Sequence, residues 1–200
     1  MSSVWVADVV RPRTIPFEQI HVMLYSFFPG APKEEGKRPY VWRMLAHDRI
    51  CIMSAIRPTT STAREIKIDA GVTLDFSLTY KRTRNVGGTY TRPDGEKRKR
   101  DEKTITITSM PELRERLIRF VGERGGAIGY VRLDRMREIR LKSKGATLPI
   151  VDAEGKVLVT NADKFAALLA SGGPGTGKAY GLGAWWLPEL MAVKATERAA

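Results

Sequence analysis

GGPGTGKAYGLG, residues Gly172 to Gly183, decides between two fold classes. Its first part, Gly172 to Lys178, has the GxxxxGK spacing of a phosphate loop, which would imply an α/β nucleotide hydrolase holding phosphates on backbone N–H groups and a lysine. Three features count against that reading. Ala179 stands where the magnesium-binding hydroxyl belongs, the preceding stretch reads as helix and not strand, and about a score of residues remain to build the parallel sheet. What remains is a longer ordered series, GxGxxKxxGxG from Gly173 to Gly183. A segment this rich in glycine gives up conformational entropy and packs few side chains, so it persists where something approaches its backbone closely. In a basic chain a phosphate is the first candidate.

Upstream of the loop, Asn161 caps a helix over Ala162 to Leu169; downstream, Leu182 to Leu187 is expected to be the closing strand. Further back, Val72 to Tyr80 places Val72, Leu74, Phe76, Leu78 and Tyr80 on one face, the alternation of a half-buried strand. A polar, basic, hairpin-like excursion follows through Asn85 to Gly88 and Pro93 to Gly95. Ser109 then caps a helix with Pro111 near its start and Leu113, Leu117, Phe120 and Val121 as its core face. Strands are expected at Ile128 to Leu133, with a possible extension through Leu141, and at Lys156 to Val159. The order is βαββαβ. The front of the chain repeats it in abbreviated form: a strand at Val4 to Val10, a helix from Phe17 to Phe28, and strands at Tyr40 to Leu45 and Ile50 to Ile56. No second helix is evident before Ile66.

The fold class expected is therefore α+β, two tandem ferredoxin-like (βαββαβ) domains. The expected division is residues 1–69, residues 70–191 with the basic excursion and the glycine loop, and a tail at 192–200.

Two hundred residues with 42% hydrophobic content suit one compact domain or two small ones. No apolar run reaches the roughly 18 residues of a membrane span and MSSVWVADVV has no basic signal region, so no membrane partner and a cytoplasmic location are expected. Cys51 is the single cysteine, which excludes internal disulfides and thiolate zinc sites; its neighbours Ile50, Ile52 and Met53 place it in a buried strand. The formal net charge of +12 calls for a polyanionic partner, most simply nucleic acid. The charge is clustered from Lys81 to Lys103 and from Arg132 to Lys144.

Four stretches, IHVMLYSFFPGAP with the following YVWRML, CIMSAIRP, AGVTLDFSLTYKRTRN and GPGTGKAYGLG, together make the chain resemble the CasE-type CRISPR-associated endoribonucleases of the RAMP superfamily. That resemblance spans nearly all of the chain and implies the same two-domain fold. It also implies a function: binding and metal-independent cleavage of CRISPR repeat hairpins in precursor crRNA, within the Cascade complex, with other Cas proteins as partners and no cofactor or metal. Outside the complex a monomer is expected. By the same resemblance His21 occupies the family's histidine position and Lys178 the lysine of its glycine loop. Glu18 stands three residues before the histidine, where members often carry a tyrosine, which leaves open two alternatives. One is a non-cleaving repeat-RNA-binding subunit; the other is an arginine-dependent crRNA endonuclease of a neighbouring class 1 subtype.

The chemistry fits those residue types. RNA supplies its own 2′-hydroxyl nucleophile, so a metal-free nuclease needs proton transfer and charge stabilisation at the phosphate. Of the two histidines, His47 falls in a tight turn and His21 on the first helix, with Glu18 one turn earlier and Tyr25 one turn later. A carboxylate beside an imidazole favours the imidazolium that a general acid requires. His21, Glu18, Tyr25 and Lys178 are the candidate catalytic set. The candidate RNA-binding set is Gly173, Gly175, Gly177, Lys178, Gly181 and Gly183 in the loop, with Lys81, Arg82, Arg84, Arg98, Lys99, Arg100, Arg135, Arg137 and Arg140 gripping a stem by its phosphates. In the final strand one of Trp185 and Trp186 is expected in the core and the other partly exposed.

Overall fold

The structure is a computed structural model that describes residues 2–31, 38–46, 48–86, 89–91, 97–99, 103–141, 145–175 and 178–191; at 85, 89–91, 97–99 and 103 it describes the backbone alone. The first half runs β1 (Ser2–Val10), a 3-10 turn at Phe17–Gln19, α1 (Ile20–Tyr25), β2 (Tyr40–Met44), β3 (Arg49–Ser54) and β4 (Arg64–Ile68). Its four strands are antiparallel in the order β2-β3-β1-β4. A loop over residues 55–63 stands where the second helix of a ferredoxin-like unit would be.

The second half opens with β5 (Thr73–Lys81) and an excursion of β6 (Thr83–Val86), β7 (Thr89–Thr91), β8 (Lys97–Lys99) and β9 (Lys103–Thr106). It continues through α2 (Met110–Gly122), β10 (Gly126–Leu141), β11 (Ala146–Val159), α3 (Ala162–Ser171), a 3-10 turn at Lys178–Tyr180, β12 (Trp185–Trp186) and α4 (Pro188–Met191). The main sheet has the order β10-β11-β5-β12, and the excursion consists of nested ribbons, β6 on β9 and β7 on β8. These are the two ferredoxin-like units expected from the sequence, the first lacking one helix.

Local chemistry fixes the helices. The Ser109 hydroxyl accepts from the Glu112 N–H at 3.3 Å and starts α2, whose Leu113, Leu117 and Val121 are buried. Likewise Asn161 accepts from the Lys164 N–H at 2.9 Å and starts α3.

The burial of β3 explains the shape of the whole. From Ile50 to Ser54 every residue is buried, which an antiparallel strand with one wet face cannot be. Ile50 and Ile52 face α1 and join Ile20, Leu24, Phe28, Tyr40 and Trp42 in one cluster. Cys51 and Met53 face the other way, into a larger cluster with Val4, Val6 and Val41 of the first half and Phe165, Leu168 and Leu169 of α3. Thus α3 packs against the first sheet as well as its own. Burial pushes the Cys51 thiol up to about 12, so it stays protonated and inert.

Three elements differ from their sequence-based expectations. The strands β10 and β11 form a hairpin of 16 and 14 residues: β10 runs through Leu141, the extended bound expected, whereas β11 starts at Ala146, well before Lys156. Register shifts between Ile128 and Tyr130 and between Leu133 and Met136 break the alternation that marks a strand. At Gly155 the partner backbone comes so close that a Cβ would lie 2.1 Å from the Tyr130 carbonyl oxygen. The closing strand is only Trp185–Trp186 rather than Leu182 to Leu187, because Gly181 and Gly183 have φ of +71° and +82° and bend the chain off the ladder. The first helix is divided: Phe17–Gln19 is 3-10, only Ile20–Tyr25 is α-helical, and Ser26 to Phe28 close in turns.

Truncating Phe165, fully buried in α3, should cost about 3–5 kcal/mol. Because α3 is shared, Phe165→Ala should lower a single unfolding transition in urea; two separated transitions would contradict a common core.

Candidate functional site

His21 sits on α1, flanked by Glu18 in the preceding 3-10 turn and by Tyr25 one turn later, all three partly exposed. Ile20 and Leu24 are the buried anchors of that helix. The Lys178–Tyr180 turn packs against α1, against the Phe17–Gln19 turn and against β2. The fold therefore brings the glycine loop onto the helix that carries the histidine, across most of the chain's length.

Beneath this junction lies an aromatic layer supplied by β2. The Tyr40 phenol donates to the His21 carbonyl, its ring stacks on Phe28 with centroids 5.1 Å apart, and Tyr25 meets it edge-on at 5.4 Å. Burial, then the neighbouring Tyr25 phenol, pushes the Tyr40 hydroxyl well above the usual tyrosine range. Two residues on, Trp42 meets Phe17 edge-on at 5.7 Å and underlies Gly181, where a Cβ would come within 3.0 Å of the indole.

That approach accounts for the glycines. The Gly173 N–H donates to the Gly183 carbonyl at 2.5 Å, the Gly183 N–H to the Thr79 carbonyl of β5 at 2.7 Å, and the Gly181 N–H to the Lys178 carbonyl at 3.2 Å. At Gly175 a Cβ would lie 3.0 Å from the Lys81 carbonyl oxygen. The expectation that these glycines turn their N–H groups toward a phosphate is thus corrected at 173, 181 and 183, where each donates inside the protein. Gly177 lies outside the described residues. The Lys178 ammonium donates to the Ser171 carbonyl at the C-terminal end of α3, where the helix dipole favours a cation. Burial, followed by repulsion from the Arg124 charge, lowers its pKa.

The basic residues divide. Arg82 is buried, donates to the Ile107 carbonyl at 3.0 Å and lies 4.0 Å from Glu138; its place among surface phosphate contacts is corrected, since its guanidinium holds β5 to the segment after β9. Arg84 pairs with Glu112 at 3.1 Å and Arg137 with Asp152 at 2.9 Å. Arg135 and Arg140 are exposed on β10, and Lys81 is partly exposed at the end of β5. Arg98 and Lys99 lie on β8, of which only the backbone is described; Arg100 and His47 lie outside the described residues. Trp185 is fully buried against Phe76 and Trp186 is partly exposed.

Sequence reasoning missed Arg43. From β2 its guanidinium reaches across to β5 and donates to both the carbonyl and the hydroxyl of Ser77 at 2.9 Å, lining a cleft of about 360 Å³ with Thr79, Arg137 and Asp152. Burial lowers its pKa against the opposing pull of Asp152. Nothing in the run YVWRML marks this arginine, because its partner is a backbone carbonyl brought near only by the tertiary fold. The outer face of the second sheet is laced with cross-strand pairs, Lys156–Asp75 at 2.8 Å, Arg132–Glu154 at 2.9 Å and Arg137–Asp152. On Asp152, burial opposes ionisation, but hydrogen bonds from Arg137 and Thr79 outweigh it and hold the carboxyl below its ordinary range. Among the described residues no group of three or more His, Cys, Asp or Glu side chains could hold a metal ion, and no helix is long and apolar enough to cross a membrane.

A model of the family described as CRISPR associated protein matches residues 10–187. The chain belongs to that family. Among solved structures it is similar to the CRISPR endoribonuclease Cse3 bound to a 19 nt RNA, with a TM-score of 0.67 and 18% identity over 93% of this chain and 98% of that one. It is also similar to Cas6e from Escherichia coli str. K-12, with a TM-score of 0.63 and 19% identity over 92% of this chain and 98% of that one. A chain of a CRISPR RNA-guided surveillance complex aligns with a TM-score of 0.56 and 17% identity over 92% of this chain and 98% of its own. At such identities the likeness is one of fold. No curated protein matches.

Alanine at Gly181 must adopt a left-handed backbone and press on the Trp42 ring, so Gly181→Ala should lose about 1–3 kcal/mol of stability, read by urea unfolding. An unchanged midpoint would show that the loop does not need this approach.

Proposed function

We propose that the protein is a metal-independent endoribonuclease that binds and cleaves CRISPR repeat hairpins in precursor crRNA. The observation that carries this reading is the packing of the Lys178–Tyr180 turn onto the helix of His21. Two motifs that are remote in sequence form one surface, with a proton-transferring side chain on one side and a cation on the other. Membership of the CRISPR-associated family and the shared fold support the choice of substrate.

In the proposed reaction the RNA 2′-hydroxyl loses its proton and its oxygen attacks the adjacent phosphorus; the bond to the 5′ oxygen breaks and that oxygen takes up a proton. The products are a 2′,3′-cyclic phosphate and a 5′-hydroxyl, with atoms and charge balanced. His21 carries proton transfer, since an imidazole works in either direction near neutrality. Glu18 and Tyr25 flank it and orient the ring. Lys178 holds the RNA backbone near the scissile phosphate, exchanging its contact with the Ser171 carbonyl for a phosphate oxygen. Arg135 and Arg140, exposed along the long hairpin, grip the stem through its phosphates. As a family member the protein acts beside other Cas proteins of a class 1 effector complex, and its likeness to a surveillance-complex chain supports that placement.

Repeat RNA incubated with the protein should be cut in the presence of a metal chelator. His21→Ala should slow single-turnover cleavage by at least about 100-fold while hairpin affinity stays within a few-fold of wild type. Cleavage that persists in this variant would remove His21 from the chemistry. Binding without any cutting by the wild type would favour the non-cleaving subunit.

A further inference from the structure

The helix that presents His21 is six residues long, too short to hold its geometry by its own hydrogen bonds. Its position is therefore imposed from outside. Ile20 and Leu24 supply the apolar anchors, but dispersion contacts are non-directional and let a short helix slide or turn on its bed. The Tyr40 phenol is different. It reaches from the sheet to the backbone carbonyl of His21 itself, and its ring is held by Phe28 on one side and Tyr25 on another. Tyr40 is 1% exposed and Trp42, on the same face of β2, is also 1% exposed and underlies the glycine loop at Gly181. One strand thus carries both references, one for the histidine and one for the lysine-bearing loop.

We infer that Tyr40 is a positioning residue of the candidate site, whose hydrogen bond to the His21 carbonyl sets the placement of the imidazole relative to the glycine loop. This rests on the endoribonuclease reading for its effect on rate, not for its effect on the histidine. The phenol stays protonated throughout any practical assay range, so the constraint does not itself titrate. A displacement of about 1 Å at a reacting group can cost as much as 100-fold in rate.

Tyr40→Phe tests the inference, because it keeps the ring and its aromatic neighbours and deletes only the donor. Hairpin affinity should be unchanged and single-turnover cleavage should fall about tenfold. The chain has two histidines, so proton–carbon NMR of the rings, with His47→Gln to assign them, reads His21 directly. The His21 signal and its titration curve should move in Tyr40→Phe while those of His47 stay in place. Urea unfolding run beside it distinguishes a folded variant from a damaged one; a Tyr40→Phe variant that does not fold also overturns the inference, since the hydroxyl then serves the fold as a whole and not the placement of one helix. An unmoved His21 signal in a folded variant overturns the inference, as does wild-type cleavage by that variant. If the wild type does not cut repeat RNA, the endoribonuclease reading fails separately and the NMR comparison still decides whether Tyr40 sets the histidine.

Discussion

The burial of α3 between two sheets is the constraint on which the molecule depends. A ferredoxin-like unit covers one sheet face with two helices; here the first unit has one, α1, and its opposite face would be wet without the other half of the chain. Phe165, Leu168 and Leu169 bury that face, so one helix removes apolar surface of both units from water. Polar links reinforce the seam: Arg43 donates to Ser77, and Arg64 donates to the Met191 carbonyl at 2.6 Å. The candidate site forms where the turn after α3 meets β2 and α1 on the other face of the first sheet, so its geometry is inherited from the core on both sides.

The glycine loop illustrates how that inheritance works. Its ends are pinned, Gly173 to Gly183 and Gly183 to Thr79, and its middle leans on Trp42. The described parts of the loop, on either side of residues 176 and 177, are thereby fixed before any ligand arrives. Lys178 extends from the loop to the end of the shared helix α3, while Tyr180 and Leu182 pack against Leu141, Leu148 and Ile150.

Much of this was legible in the sequence, for reasons that differ by element. The alternation through Leu74, Phe76, Leu78 and Tyr80 and the caps at Ser109 and Asn161 are local signals, and local structure follows them. Cys51 was legible as a buried strand residue because its neighbours are apolar; that the strand is covered on both faces emerges only from the packing of α1 and α3. The long hairpin was legible only in part: the extension of β10 through Leu141 was open to reading, but two bulges shift which residues face the core, and Gly155 in β11 answers to a backbone across the ladder. Arg82 misled because charge is read from sequence while burial is not: its partner, the Ile107 carbonyl, lies 25 positions away. The same holds for Tyr40, whose hydroxyl finds His21 only once α1 lies on β2. The GxGxxKxxGxG series announced a close approach correctly; the partner at several of its positions is the protein itself.

The paired charges on the outer face of the second sheet have a consequence at long range. Lys156, Arg132 and Arg137 each stand beside a carboxylate, so these three pairs contribute little to the far field of a chain whose formal net charge is +12. The excess of positive charge over the whole chain still exerts a long-range attraction on a polyanion. Added salt shortens the reach of that attraction more than it weakens ion pairs at contact distance, so the pairs on the sheet and the pull on a polyanion answer differently to ionic strength.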